Sequence, residues 1–327
     1  MNRSYLFIIL FIILGCSPTE DQASNPAVSN SALSAEQEGI PALKVLGVLQ
    51  DGGAPHIGCD RTCCRNLFLR PRMDRKVVCL GIVDTDSVGK KVGAMIEATP
   101  DFPSQLNEFQ QWSQVAMEEM RIFLTHAHIG HYSGLMFVGR EALGANQMPV
   151  WAMPRMRSFL ESNGPWDQLV ALQNIELQTL FEDEAVRIGS TVSLVPLKVP
   201  HRDEYSETVG FRIVGPTHSA LFIPDINKWD EWSRSLEGEL ALVDRAYLDA
   251  TFFDAAEIGY RDMSEIPHPF MVETMALLDS LPQTQRDKIH FIHLNHTNPC
   301  LDTTSEAYAK VIQKGYHIAV PGSTYPL

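Results

Sequence analysis

The sequence has 327 residues, 45% of them hydrophobic and 20% charged, which excludes a disordered chain and suits one large globular domain or two small ones. Its 40 acidic residues outnumber its 26 basic residues, so the formal net charge is −14. A surface this acidic disfavours nucleic acid and other polyanions as partners.

The start of the chain predicts an export signal. A short polar beginning precedes an unbroken apolar run at residues 5–14, which is too short for a comfortable membrane span. The ending Ile-Leu-Gly-Cys at 13–16 resembles the lipobox of bacterial lipoproteins, so we expect a signal peptide at 1–15 and a membrane anchor on a lipidated Cys16, on the periplasmic side of the cell envelope. Ser17 resembles the sorting residue of outer-membrane lipoproteins. An ordinary secretory signal with a chance cysteine is the alternative.

A polar segment follows at residues 16–42. It is rich in Ser, Ala, Asn, Glu and Pro and has almost no large apolar residues, so burial cannot compensate for the entropy of ordering it. We expect a flexible tether there, followed by a single domain at residues 43–327. No internal repeat interrupts that domain.

From residue 43 onward, short apolar runs alternate with amphipathic stretches. The runs predict strands at 43–49, 77–83, 92–97, 121–125, 191–198, 209–214, 220–223, 246–249 and 290–294. The amphipathic stretches predict helices at 105–120, 154–162, 269–281 and 305–314. Polar side chains follow several of the strands, and rigid sheets commonly present chemistry at such strand ends. The segments 140–180 and 202–208 carry no functional motif, and we expect them to contribute pocket loops.

Residues 125–134 read THAHIGHYSG and contain three histidines within six residues. In an extended segment His126 and His128 point to the same side and can reach one ion, while His131 enters from the following turn. Neutral imidazole is a common ligand of zinc and iron. The pattern therefore predicts a metal site, with a chance group of surface histidines as the alternative.

The strand followed by this motif resembles the metallo-β-lactamase superfamily, whose first motif is HxHxDH. The resemblance implies an α/β fold, a four-layer αββα sandwich with a metal site at one edge. It also implies three later ligands: His201, Asp225 as the carboxylate that bridges two metals, and His293. Taken alone, each has a structural alternative, as a loop histidine, a turn or helix-cap residue and a buried strand histidine.

Gly130 is the departure from that motif, because it stands where the superfamily has the aspartate that ligates the second metal. The first site keeps its three histidines and Asp225. The second keeps His131, Asp225 and His293 but lacks its usual carboxylate, so we expect it to bind weakly, to be empty or to take a water instead. A single metal with an open position still lowers the pKa of bound water to about 7.

Three cysteines lie close together after a glycine-rich stretch that can turn sharply: Cys59, Cys63 and Cys64. They suit a small tetrahedral zinc site, and disulfide formation is the competing interpretation in an exported protein. Two further cysteines, Cys79 and Cys300, could pair with each other or be buried singly.

The same glycine-rich stretch and its cysteines, with segments 96–101, 247–252 and 293–299, resemble the coenzyme PQQ synthesis protein B family over roughly residues 43–325. A related branch, the cyclic-phosphate phosphodiesterase of phosphonate breakdown, holds a structural zinc with three cysteines and a histidine three residues after the last catalytic-site histidine. His296 stands in that place. The resemblance implies that it completes the cysteine site, although the middle cysteine is displaced from the relatives' spacing.

A candidate proton donor lies further along the chain. Asp249-Ala-Thr-Phe252 followed by His268 resembles the phosphodiesterases of the superfamily, including the tRNA 3′-processing endonucleases, in which such a histidine protonates the leaving group. An Asp249–His268 pair would keep the imidazole oriented as a general acid. The alternative is a loop histidine that precedes the predicted helix at 269–281.

These features favour a hydrolase with one catalytic and one structural Zn²⁺, in which a metal-bound hydroxide attacks an ester, lactone or phosphodiester of small size. Iron suits the same ligands, which allows an iron-dependent oxygenase linked to quinone cofactor synthesis. The export signal argues against that role, because such a pathway is expected in the cytoplasm. A non-catalytic binding lipoprotein is the third possibility, and Gly130 is its best support.

Overall fold

The computed structural model describes residues 40–257, 259 and 265–327. The predicted signal peptide at 1–15, Cys16 and the predicted tether up to residue 39 lie outside the described residues. Within the described part of the chain, no helix combines the length and apolar character needed to cross a membrane.

The described residues form two seven-stranded sheets. The first has the order β14-β1-β2-β3-β4-β5-β6. Its strands are β1 (Ala42–Gly47), β2 (Cys79–Thr85), β3 (Lys91–Ile96), β4 (Met120–Phe123), β5 (Met148–Ala152), β6 (Ile175–Thr179) and β14 (Thr324–Pro326). Strands β3 to β6 pair in parallel, and β1 to β3 pair antiparallel.

The second sheet has the order β13-β12-β11-β10-β9-β8-β7. Its strands are β7 (Val186–Arg187), β8 (Ser193–Lys198), β9 (Val209–Val214), β10 (Ser219–Ile223), β11 (Arg245–Asp249), β12 (Ile289–Ile292) and β13 (His317–Ile318). Strands β10 to β13 run parallel to one another. Because β10 is the middle strand, a residue that follows its carboxyl end lies at the centre of one sheet edge.

Helices cover the outer faces of both sheets. They are α1 (Thr62–Leu69), α2 (Phe102–Ser113), α3 (Ile129–Tyr132), α4 (Pro154–Ser162), α5 (Trp166–Ala171), α6 (Leu236–Leu240), α7 (Met271–Leu277), α8 (Gln283–Arg286) and α9 (Glu306–Gln313). The larger core cluster includes residues of both sheets, such as Ile82 and Phe211, and Met275 of α7. A second cluster joins the first sheet to α2 and α4 through Phe109 and Leu160. The predicted four-layer αββα sandwich is confirmed.

The predicted strand at 209–214 and helix at 154–162 have the observed bounds. The prediction of one helix over 105–120 was wrong: α2 ends at Ser113, Gln114 adopts a left-handed conformation with φ 59°, and β4 already begins at Met120. Apart from the helix at 154–162, segment 140–180 was expected to form loops. This expectation was wrong, because the segment also contains β5, α5 and β6. Short parallel strands obtain their stability from neighbours distant in sequence, which local patterns do not reveal.

Candidate metal centres

The predicted site residues gather at one edge of the second sheet and beside the end of β4. His126, His201, Asp225 and His293 follow β4, β8, β10 and β12, and Asp249 ends β11. Parallel pairing of β10, β11 and β12 brings their carboxyl ends together, which places Asp225, Asp249 and His293 side by side. The fold therefore assembles residues that are distant in sequence.

The first candidate metal site consists of His126, His128, His201 and Asp225. Asp225 Oδ2 lies 3.3 Å from Nε2 of both His126 and His201, and His201 Nε2 lies 3.2 Å from His128 Nδ1. Zinc bonds of 2.0–2.2 Å in a tetrahedron place neighbouring donor atoms about 3.4 Å apart. These donor atoms therefore fit one divalent ion without rearrangement.

The second cluster contains His131, Asp225 and His293, as predicted, and also Asp51, which sequence analysis missed. Asp51 Oδ1 lies 2.8 Å from His131 Nε2 and 3.6 Å from His293 Nε2. The expectation that this site lacks a second carboxylate was therefore wrong. An aspartate beside two glycines, in Gln50-Asp51-Gly52-Gly53, has the ordinary pattern of a turn, so the sequence offered no signal.

Asp225 connects the two clusters. Its Oδ2 lies 3.8 Å from His131 Nε2 and 4.0 Å from His293 Nε2, in addition to its contacts with the first site. Burial raises the pKa of Asp225, but the charges of His201 and His268, followed by the nearby His126 and His128 rings, outweigh it and hold the pKa well below its usual value. The buried carboxylate is therefore charged and faces both clusters.

Several inward-facing atoms have no hydrogen-bond partner, although they are buried: Nε2 of His126, His131 and His293, and Oδ1 of Asp51 and Asp225. Leaving a buried polar atom unpaired costs roughly 1–3 kcal/mol. Several such atoms converging on one space fit a bound cation, which would satisfy all of them together. Burial, followed by the charge of His131, also holds the pKa of His126 well below its usual value, so that ring stays neutral as a ligand must.

On the first sheet, Glu97 orients two of the histidines. Its Oε1 accepts a hydrogen bond from the Thr125 hydroxyl at 2.6 Å and faces His131 Nδ1 at 3.1 Å, and the Thr125 oxygen faces His126 Nδ1 at 2.8 Å. With the outer ring nitrogens donating to these acceptors, the inner nitrogens are left free. Such outer contacts fix the tautomer and orientation of a metal ligand.

The remaining three rings have the same arrangement. The Thr251 oxygen lies 2.9 Å from His293 Nδ1, and Asn227 Oδ1 lies 3.3 Å from His201 Nδ1. Glu204 Oε2 lies 3.3 Å from His128 Nε2, so this ring alone turns Nδ1 toward the site. Asn227 and Glu204 belong to no motif, and Thr251 lies in the Asp249–Phe252 segment without a signal for this contact, so sequence analysis did not assign these outer residues a role.

His268 lies next to the first site. Its Nδ1 is 2.9 Å from Asp249 Oδ2 and 3.2 Å from Asp225 Oδ1. Burial lowers the pKa of His268, but the charges of Asp249 and Asp225 outweigh it and raise the pKa to about 10. Burial also opposes ionisation of Asp249, yet His268 lowers the pKa of that carboxyl to about 2. The structure thus brings the predicted pair together, with the imidazole protonated at neutral pH.

The third cluster contains Cys59, Cys63, Cys64 and His296, the four residues predicted for the structural metal. Cys63 Sγ lies 3.9 Å from Sγ of both Cys59 and Cys64, and all three thiols are free. A disulfide would need a sulfur separation near 2.05 Å, whereas tetrahedral zinc with bonds near 2.3 Å places its sulfurs about 3.8 Å apart. Burial, followed by the charge of His56, lowers the pKa of His296 to about 4, so this imidazole is neutral.

The other two cysteines behave as buried thiols. Cys79 lies in β2, the amide of Cys300 donates to Asn298 Oδ1, and neither cysteine forms a disulfide. Burial raises the pKa of both thiols, to about 12 for Cys300. Of the alternatives open from the sequence, single burial is the one observed.

A cleft of about 530 Å³ lies beside the cysteine cluster and extends to His268. Its lining includes Thr251, Phe252 and His268, and also Cys59 and His296 of the cysteine cluster. Arg61 and Arg202 also line it. A cleft of this size holds a small molecule.

Comparison with known proteins places this geometry in a family. Residues 94–293 match the family model described as the β-lactamase superfamily domain. Coenzyme PQQ synthesis protein B of Methylorubrum extorquens (strain PA1) is 25% identical over 312 residues, which cover 86% of this chain and 99% of that protein. The protein of the same name from Acinetobacter baylyi is 24% identical over 306 residues, with 86% and 98% covered.

Solved structures with the same fold include the following two. Zn²⁺-bound PqqB from Methylobacterium extorquens superposes with a TM-score of 0.69 at 20% identity and covers 88% of this chain and 100% of its own. A diphosphatase from the PhnP family has a TM-score of 0.57 at 21% identity, with 88% and 97% covered.

Replacing Glu97 by glutamine should weaken metal binding at the histidine clusters. Glutamine keeps the volume but removes the charge that orients His126 and His131, and losing such an outer contact typically costs 10- to 100-fold in metal affinity. Zinc titration against a chelator measures the change. Glu161→Gln, on the exposed face of α4, serves as the control, and equal affinities in the two variants would contradict the orienting role.

Replacing Cys59 by serine should remove one zinc per chain from the purified protein and leave the histidine clusters loaded. Because a structural zinc contributes directly to folding, we expect the melting temperature to fall by roughly 5 °C or more. Metal analysis and thermal unfolding measure both effects. Cys79→Ala removes a buried thiol outside the cluster as a control, and a Cys59→Ser protein with unchanged zinc content would disprove the assignment.

Proposed function

The chain belongs to the β-lactamase superfamily, and on this premise we propose that it is a metal-dependent hydrolase that cleaves a small phosphodiester. The observation that carries the proposal is His268, held against Asp249 and Asp225 where the first metal site meets the cleft. A divalent ion held by His126 and its partners in that site would lower the pKa of a bound water to about 7 and so make a nucleophile available at neutral pH.

His268 is placed to protonate the leaving oxygen. Its Nδ1 contacts Asp249 and Asp225, which leaves Nε2 as the ring nitrogen that can serve a substrate in the cleft. A cation beside Asp225 would compete for that carboxylate and lower the pKa of His268 toward neutrality, where a general acid is most effective. Asp249 also accepts a hydrogen bond from the Thr251 hydroxyl at 2.7 Å, so its position is fixed.

The cleft has the charge that a phosphodiester anion requires. Although the chain as a whole is strongly acidic, the described residues that line this cleft include two guanidinium groups, Arg61 and Arg202, against a single carboxylate, Asp60. A guanidinium presents a planar set of donors that matches phosphate oxygens. An ester or lactone without charge would gain nothing from either side chain, which is why we favour the phosphodiester among the predicted substrate classes.

The alternatives make less use of these residues. An iron-dependent oxygenase could employ the same metal ligands, but it has no leaving oxygen for His268 to protonate. A non-catalytic binding protein would need neither the oriented His268 nor the inward-facing unpaired nitrogens. Hydrolysis gives both features a role.

Replacing His268 by alanine should slow hydrolysis by about 10²- to 10⁴-fold when the leaving group is an alkoxide or an unsubstituted phenoxide, because these strongly basic groups need a proton. The loss should be much smaller for bis(4-nitrophenyl) phosphate, whose leaving group departs without protonation. Rates for both substrates, measured at equal metal content, give the comparison.

His218→Ala is the matched control, since this exposed side chain lies outside the cleft and its hydrogen-bond partner in the described structure is Thr217. Equal losses for both leaving groups in His268→Ala would argue against a proton donor and in favour of a structural role.

Replacing Arg202 by alanine should raise KM for the diester by about tenfold or more and leave kcat nearly unchanged, because a hydrogen bond to a charged group contributes roughly 1.5–3 kcal/mol. Initial rates at varied substrate concentration measure it. Arg202→Lys keeps the charge and should lose less. A neutral ester whose KM responds as strongly as that of the diester would contradict recognition of an anion.

A further inference from the structure

Gly130 and Asp51 occupy one space. A Cβ atom on Gly130 would lie 2.4 Å from both Cα and Oδ1 of Asp51 and 2.7 Å from its Cβ. Side-chain carbons do not approach other heavy atoms this closely, so residue 130 can carry no side chain while Asp51 stays in place. Gly130 lies in α3 and does not have a positive φ, so its backbone conformation does not demand glycine. Residue 130 must be glycine because any side chain there would overlap Asp51.

The backbone holds Asp51 firmly at this position. Leu49 forms isolated bridges to both Val77 and Leu294. The amide of Gln50 donates to the Leu294 carbonyl at 2.9 Å, and the Leu294 amide donates to the Val48 carbonyl at 2.8 Å. The segment that ends at Asp51 is therefore paired with the residue directly after His293, so Asp51 and His293 are positioned together.

The carboxylate of Asp51 faces the second cluster. Its Oδ1 is buried, has no hydrogen-bond partner, and lies near Nε2 of His131 and His293, which are also unpaired. Adding Asp225 gives two imidazole nitrogens and two carboxylate oxygens within 4.8 Å of one another. This mixed nitrogen and oxygen donor set suits zinc, manganese or iron.

We propose that Asp51 supplies, from the loop after β1, the second-metal carboxylate that the histidine motif lacks at Gly130, so that the histidine centre takes two divalent ions. The carboxylate occupies the second-metal site as in the motif, but it comes from residue 51 and not from residue 130. The inference rests on the proposed function only in taking this centre to bind divalent metal.

The test counts metals in the full chain, without reference to activity. We expect three zinc ions per wild-type protein, two at the histidine centre and one at the cysteines. Asp51→Asn keeps the side-chain shape and removes the charge, so it should bind one zinc fewer, with the second ion weakened by roughly 100-fold or more. Substitution with Mn²⁺ gives a second readout, because two neighbouring ions produce a coupled paramagnetic resonance spectrum and one ion does not.

A pair of further variants keeps the test decisive if Asp51→Asn folds poorly. Gly130→Asp alone should clash with Asp51 and lose the second ion, whereas Asp51→Gly combined with Gly130→Asp should recover it. Asp60→Asn, in the same loop and on the cleft but outside the clusters, should keep all three ions.

An Asp51→Asn protein that retains three ions, or a double variant that binds no more than Gly130→Asp alone, would overturn the inference. A protein that shows the expected metal counts but hydrolyses no phosphodiester would support this inference and contradict the proposed function.

Discussion

The buried carboxylate of Asp225 is the group on which both candidate metal sites depend. It follows β10, the middle strand of the second sheet, and its Oδ2 lies within 4.0 Å of five imidazole rings. Its Oδ1 faces a sixth, His268. Placing an ionised group in this interior is costly unless opposite charge and hydrogen bonds surround it. The histidines, and the cations they would hold, provide that environment.

Residues that follow strands of both sheets orient these rings. The first sheet contributes Glu97 and Thr125, which hold two histidines from outside, and the second contributes Thr251 at the end of β11. Every ring of both candidate metal sites has its outer nitrogen opposite an oxygen acceptor. The inner nitrogens of His126, His131 and His293 have no hydrogen-bond partner, and those of His128 and His201 face each other. Such preorganisation is needed because a metal ligand that is misoriented loses affinity, and the sheets are the most rigid part of the fold.

Much of this arrangement could be predicted from the sequence. His126, His128 and His131 were recognisable from their spacing, and the resemblance to the superfamily implied His201, Asp225 and His293, each of which lies at or just after the end of a predicted strand. Strand ends are predictable because parallel pairing forces their carboxyl ends to one edge. The resemblance to the superfamily is confirmed by the family match over residues 94–293, and that resemblance carried the four-layer fold.

What the sequence could not supply were contacts made only by tertiary packing. Asp51 contacts His131, a residue distant in the sequence, and nothing local distinguishes Asp51 from a turn residue. The departure at Gly130 was visible, but without the structure it indicated a lost ligand. In the structure, a side chain at residue 130 would collide with Asp51. Gly130 therefore indicates that the carboxylate comes from another residue, and not that it has been lost.

The most direct test of this account is a crystal structure of the purified wild-type chain recorded at the zinc absorption edge. We predict three anomalous peaks, two of them on either side of Asp225 Oδ2 and one among Cys59, Cys63, Cys64 and His296. A single peak at the histidine centre, with Asp51 turned away from it, would contradict the account.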